Sequence, residues 1–177
     1  MPKISNFYGL YKNKLSAFKD KDIKFLEIGV QDGSSIKYWR DFSPTWKVWG
    51  LDTDPNCAGE NIVIGSQEDK DILKQFEGFD VVIDDGGHTM KQQIETFNQL
   101  FPTLRKGGLY VIEDLHTSFW DEFNDYPQTT VDFLTGLVPH INHRETNNHR
   151  LGGNPPLKDN NIAAIEFYPS IVFIWKD

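Results

Sequence analysis

The chain has 177 residues, 38% of them hydrophobic and 14% aromatic, enough for one domain with a sizeable core and no dividing linker. Its formal net charge of −8 and pI near 5.1 argue against nucleic acid as a partner, because a phosphate backbone calls for a basic face or stripe. The single cysteine, Cys57, leaves no internal disulfide, the N-terminus has no apolar run of signal-peptide length, and no stretch approaches the ~20 apolar residues that span a bilayer; the expected setting is cytoplasmic.

Residues 6–18 carry Phe7, Tyr8, Leu10, Tyr11, Leu15 and Phe18 at mixed helical spacing, which predicts an N-terminal helix or lid within residues 1–20, lying on the sheet. Core packing explains these aromatics better than a cofactor contact. Residues 24–29 (KFLEIG) read as a buried strand running into VQDGSS, with a helix over residues 36–42. A strand, a glycine turn and a helix start form the ligand cradle of nucleotide-binding folds. Gly29 and Gly33 lie four apart, so the dinucleotide fingerprint fails, and Glu27 at the strand end suits a cationic ligand group better than a pyrophosphate.

Residues 47–52 (KVWGLD) form the second predicted strand, and Asp52 at its end is placed to accept hydrogen bonds from the two hydroxyls of a ribose. Residues 61–65 predict a third short strand. Ser66-Gln67-Glu68-Asp69 then reads as a helix cap that could also touch an adenine edge, capping being the stronger claim.

The stretch from Phe79 to Trp120 carries the chemistry. Two β-branched runs, residues 80–83 and 109–112, end in Asp84-Asp85 and Glu113-Asp114, with an amphipathic helix between them. A strand, a crossover helix and a parallel strand bring all four acids to one sheet edge. Neighbouring strands lie ~5 Å apart, so the carboxylates would repel one another unless a hard divalent cation sat among them. Successive strand residues point to opposite faces, which sends Asp84 toward the cofactor side and Asp85 toward the metal; Glu113 and Asp114 can share the metal only if the chain is already leaving the strand. His88, expected one turn into the following helix start, is placed to take a proton from a group held there.

In order, LEIG-V-QDGSS, the strand ending in Asp52, GSQED, FDVVIDDGGH and GGLYVIEDLHTSFW resemble the class I S-adenosylmethionine-dependent methyltransferases. Asp85-x-x-His88 followed by Glu113-Asp114 resembles, more narrowly, the metal-dependent sugar O-methyltransferases of macrolide biosynthesis. The likeness runs from about Tyr8 to Trp120. It implies Mg²⁺ on Asp85, Glu113 and Asp114, His88 as base, and S-adenosylmethionine on Glu27, Gly29, Gly33, Asp52, Ser66, Gln67 and Asp84. The extra N-terminal region of the macrolide enzymes has no counterpart in this sequence, so neither substrate grip nor oligomeric state carries over.

The fold expected is a Rossmann-like α/β domain, with a seven-stranded, mostly parallel sheet, helices on both faces and a C-terminal antiparallel hairpin from residues 162–168 and 171–175, putting an antiparallel strand on the sheet edge. Residues 126–138 predict a helix, and residues 139–161, rich in Asn, Gly and Pro, a substrate loop in which Arg144 and Arg150 meet a hydroxyl-rich acceptor. His140, His143 and His149 there read as surface histidines rather than a zinc cluster. Of the five tryptophans, four read as core or rim packing; Trp120, beside the acidic edge, is the exception. The predicted activity is O-methylation of a small-molecule or glycan hydroxyl with a vicinal partner. A catechol acceptor, a nicotinamide-dependent oxidoreductase and a non-catalytic domain partnering a glycosyltransferase are the competing readings.

Overall fold

The computed structural model describes residues 7–141 and 161–177. Seven strands form one sheet in these residues: β1 (Lys24–Ile28), β2 (Lys47–Asp52), β3 (Ile62–Ile64), β4 (Val81–Asp84), β5 (Leu109–Glu113), β6 (Ile162–Tyr168) and β7 (Ile171–Lys176). Their order is β3-β2-β1-β4-β5-β7-β6, with β7 antiparallel to both neighbours. The predicted antiparallel strand therefore lies one place in from the edge, and β6 is the edge strand. Composition explains the exchange. The apolar run of β7 is almost wholly buried, whereas β6 carries Glu166 and a half-exposed Phe167 that suit a strand with one open side.

Two apolar layers cover the sheet, as the alternation of side chains along a strand requires. Leu26, Ile28, Val82, Tyr110 and Ile112 face α3 (Lys70–Leu73), α4 (Met90–Leu100) and α5 (Thr130–Gly136) through Leu73, Phe97, Leu100 and Leu134. On the other face Phe25, Val81, Ile83 and Val111 meet α1 (Tyr8–Lys14) and α2 (Ser34–Phe42) through Tyr11, Ile36 and Trp39. Trp39 and Trp46 are core residues, as expected, and Trp120 is half-exposed.

Local chemistry fixes the helix boundaries. The predicted N-terminal helix breaks into α1 and a 3-10 turn at Leu15–Ala17. Thr89 caps α4 in a reciprocal capping box with Gln92, and Pro102 follows its end. Thr129 accepts from the Asp132 amide and delays α5 to Thr130, four residues later than predicted, with α6 (Val138–Ile141) beyond it. Residues 142–160, including His143, Arg144, His149 and Arg150, lie outside the described residues. No helix among the described residues is long and apolar enough to cross a membrane.

A half-buried contact ties α1 to the edge strand: Lys14 Nζ meets the Glu166 carboxylate, which also accepts from Trp175 Nε1 at 2.7 Å. The Lys14 hydrogen bond, outweighing burial, holds the Glu166 carboxyl below its usual range. A depressed carboxyl contributes stability above its unfolded pKa and loses it as pH falls through the folded value. Lys14→Met is therefore expected to lower the thermal midpoint at pH 7, with the gap to wild type closing between about pH 5 and pH 3. A gap independent of pH in a melting series would refute the ionic origin.

Candidate active site

Parallel pairing aligns the strand ends that build the site. Ile28, Asp84 and Ile112 lie in register across β1, β4 and β5. A cavity of about 270 Å³ opens at this edge, beside the boundary between β1 and β4 where the strand order reverses. Its lining comes from the loops after four strands: Gly29 and Gln31, Asp52 and Thr53, Ser66 and Gln67, then Asp85 to His88.

Gly29 is at φ +88°, and a Cβ on it would stand 2.1 Å from the Asp85 carbonyl oxygen. Its amide donates to Leu51 O at 2.8 Å and the Asp85 amide to Ile28 O at 3.0 Å, so the loops after β1, β2 and β4 converge on this residue. Gly33, at φ +76°, is the N-cap of α2 with open space where a Cβ would be. Asp52 Oδ2 accepts from the amides of Val30 and Gln31 at 2.7 and 2.9 Å, and Oδ1 from Asp54 at 2.8 Å. Burial would raise its carboxyl, but these three amides outweigh it and hold the pKa below the usual value, leaving an ionised acceptor on the cavity wall.

Gln67, predicted as a ligand contact, is a structural brace as well as a lining residue. Its Nε2 donates to Asp84 Oδ1 at 3.1 Å and to Thr96 Oγ1 at 3.2 Å, and its Oε1 accepts from the Gly87 amide at 2.9 Å. Ser66 Oγ accepts from Glu68 N, and Asp69 caps α3 as expected. Asp84 lies behind the cavity wall, accepting also from Tyr110 at 3.3 Å, and burial, against these hydrogen bonds, pushes its carboxyl up to about 7. Glu27 turns to the opposite face, where Ser35 Oγ and Trp39 Nε1 donate to it at 2.6 and 3.2 Å; it does not line the cavity.

The second half of the site is a compact polar group. Asp85, His88 and Asp114 each offer a ligand atom, all within 4.8 Å of one another. His88 Nε2 stands 3.7 Å from Asp85 Oδ1 and 3.4 Å from Asp114 Oδ2. His88 precedes the helix rather than sitting in its first turn: the Thr89 cap starts α4 at Met90, and His88 takes a left-handed φ of +61°. Thr117 Oγ1 donates to both His88 O and Asp114 O at 2.9 Å, pinning the two loops together. Asp114 has φ +55°, so the chain leaves β5 there and turns this carboxylate toward Asp85.

Glu113, still in the strand, is not one of the three. Its carboxylate accepts from Tyr11 on the α1 face, while Gln93 Nε2 donates to its backbone oxygen at 2.9 Å. Burial and the charges of Glu113, Asp85 and Glu27 raise the Tyr11 hydroxyl pKa well above its usual value, so it stays a donor. Sequence reasoning assigned Tyr11 to packing. Its polar role had no local signal, because its partner is 102 residues away.

No family model matches the chain. It is 31% identical to the 8-demethyl-8-alpha-L-rhamnosyl tetracenomycin-C 2'-O-methyltransferase of Streptomyces olivaceus, across 98% of this chain and 50% of the relative. It is also 31% identical to the mycinamicin VI 2''-O-methyltransferase of Micromonospora griseorubida, across 94% of this chain and 47% of the relative. The chain thus spans about half the length of the curated relatives it matches. Among solved structures it is similar to the mycinamycin-pathway methyltransferase MycE in complex with Mg and SAH, with a TM-score of 0.85 at 29% identity over 99% of this chain and 51% of that one.

Proposed function

Because this chain belongs to the class I S-adenosylmethionine-dependent methyltransferases and is similar to their macrolide sugar O-methylating members, we propose that it is a divalent-metal-dependent sugar O-methyltransferase with His88 as general base. The observation that carries the reading is the pairing, on one sheet edge, of the glycine-lined cavity ending in ionised Asp52 with the Asp85, His88 and Asp114 group. The rhamnosyl and olivosyl acceptors in the names of two relatives support a sugar over a catechol. The absent dinucleotide fingerprint weighs against a nicotinamide enzyme.

The donor set fits Mg²⁺: two carboxylates a few ångströms apart supply hard oxygen donors and two negative charges that want compensation. When bound, the cation supplies positive charge that lowers the pKa of a neighbouring acceptor hydroxyl, and S-adenosylmethionine supplies an electrophilic methyl group. Asp85 and Asp114 would hold the metal. Glu113 supports the same edge through Tyr11. Asp52 would accept the ribose hydroxyls, and Gly29 lets the backbone approach the cofactor. His88 Nε2 takes the acceptor's proton, and the two carboxylates beside it hold the imidazolium that results. Thr117 fixes the backbone of both partners so that the base does not have to be ordered at each turnover.

Calorimetric titration of S-adenosylmethionine, with and without Mg²⁺, should give binding in both cases, with methyl transfer to a vicinal diol lost on chelation and restored by added Mg²⁺. No cofactor binding under either condition would remove the reading. Turnover that survives chelation would leave the methyltransferase but remove the metal.

A further inference from the structure

The 3-10 turn at Leu115–Phe119 has two sides. Leu115, Thr117 and Ser118 are buried and anchor it; His116, Phe119 and Trp120 face outward. Phe119 is 76% exposed and Trp120 48%, unusual for large aromatics beside a polar group. The turn cannot drift from the active site, because Thr117 bonds the carbonyls of His88 and Asp114 and the Leu115 amide donates to Ser170 O at 3.0 Å.

From Asp114 outward the side chains form a continuous wall. His116 Nδ1 is 3.8 Å from Asp114 Oδ1 and within hydrogen-bond reach of Ser170 Oγ, which orients the imidazole. Trp120 packs edge-on against that ring at 4.7 Å between centroids, with Phe123 behind it at 5.9 Å. None of these residues lines the cavity of about 270 Å³, whose wall on this side is Asp85 to His88. The aromatic wall thus borders the acidic group from outside the cofactor cavity.

We infer that Trp120, braced by His116 and Phe123, is the stacking platform for the pyranose ring that carries the accepted hydroxyl. A pyranose has a face of C–H groups and a rim of hydroxyls. Laid on a half-exposed indole, it buries the face and turns the rim toward the neighbouring carboxylate and base, which a featureless polar acceptor would not do. The inference rests on the sugar-methyltransferase reading, since it supplies the acceptor side of that site.

The probe is methyl α-L-rhamnopyranoside with Mg²⁺ and S-adenosylhomocysteine, followed by saturation-transfer NMR on wild type, Trp120→Ala and Trp120→Phe. Saturation should reach the ring C–H protons in wild type, with affinity about tenfold weaker in Trp120→Ala, the scale of one lost aromatic contact, and mostly recovered in Trp120→Phe. Equal binding by wild type and Trp120→Ala, or no transfer to the sugar in wild type, would overturn the platform. Calorimetry of S-adenosylhomocysteine on the same samples separates the two readings. Affinity unchanged by Trp120→Ala is expected; a wild type that binds the sugar through Trp120 but no S-adenosylhomocysteine would remove the methyltransferase assignment, and with it the acceptor role of the platform, and leave Trp120 as a sugar contact only.

Discussion

His88→Asn is expected to lower methyl-transfer turnover by about 10²–10⁴ while leaving S-adenosylhomocysteine affinity within a factor of two or three. The choice of variant follows from the backbone. His88 sits at φ +61°, where asparagine is tolerated better than alanine, so the asparagine keeps the loop and removes the base. Alanine would mix that loss with backbone strain of about 1 kcal/mol or more. Although His88 borders the cavity, cofactor affinity should change little because Asp52 and Gly29, on the far loops, are untouched and asparagine keeps a polar side chain at the rim. If His88→Asn turned over at the wild-type rate in a radiolabelled methyl-transfer assay, the proton would have to go elsewhere, and the group would reduce to a metal site.

Much of this site was legible in the sequence for one reason: a parallel sheet aligns its strand ends, so an acid that ends a buried apolar run must arrive at a known edge. The period of two along a strand separates Asp84 from Asp85, but not into the expected cofactor and metal sides: Asp84 is held behind the cavity wall by Gln67 and Tyr110, while Asp85 both lines the cavity and belongs to the acidic group. The same rule let Glu113 and Asp114 share one site only if the chain were already leaving β5 at both; it leaves at Asp114, with a left-handed φ of +55°, and the two carboxylates part. Glu113, one residue earlier, stays on the strand and points the other way.

The failures have a common cause as well. That Glu113 accepts from Tyr11, that Gln67 braces Asp84 against Gly87, and that the antiparallel strand β7 lies between β5 and β6 rather than on the edge all depend on contacts between segments distant in sequence. Hydrophobic periodicity reports the face of an element, not the neighbour it meets. His88 lies before α4 rather than one turn into it because Thr89 with Gln92 outcompetes the glycines before it as a cap. Glu27 has the place at a strand end of a ligand group, but its carboxylate faces α2, where Ser35 and Trp39 donate to it.

Gly29→Ala should be the most damaging single-methyl change in the domain, costing about 2–5 kcal/mol and lowering the thermal midpoint by roughly 5–20 °C. Two effects combine. A residue with a Cβ is strained at φ +88°, and that Cβ would overlap the Asp85 carbonyl, 2.1 Å from its oxygen and 2.7 Å from its carbon. Neither neighbour can yield cheaply, since both are backbone, and the Asp85 amide is already bonded to Ile28. Relief has to come from moving the Asp85 peptide away from β1, which shifts a member of the acidic group and the loop that carries His88. Cofactor and Mg²⁺ binding should therefore weaken together, although Gly29 belongs to the cofactor half. Gly33→Ala is the matched comparison: φ +76° imposes a similar strain, but nothing lies within 4 Å of the added carbon, so its cost should stay near about 1–2 kcal/mol with Mg²⁺ binding intact. Equal losses in the two variants, measured by thermal unfolding and by titration of Mg²⁺, would show that backbone strain alone governs this turn and that the contact between Gly29 and Asp85 does not couple the two halves of the site.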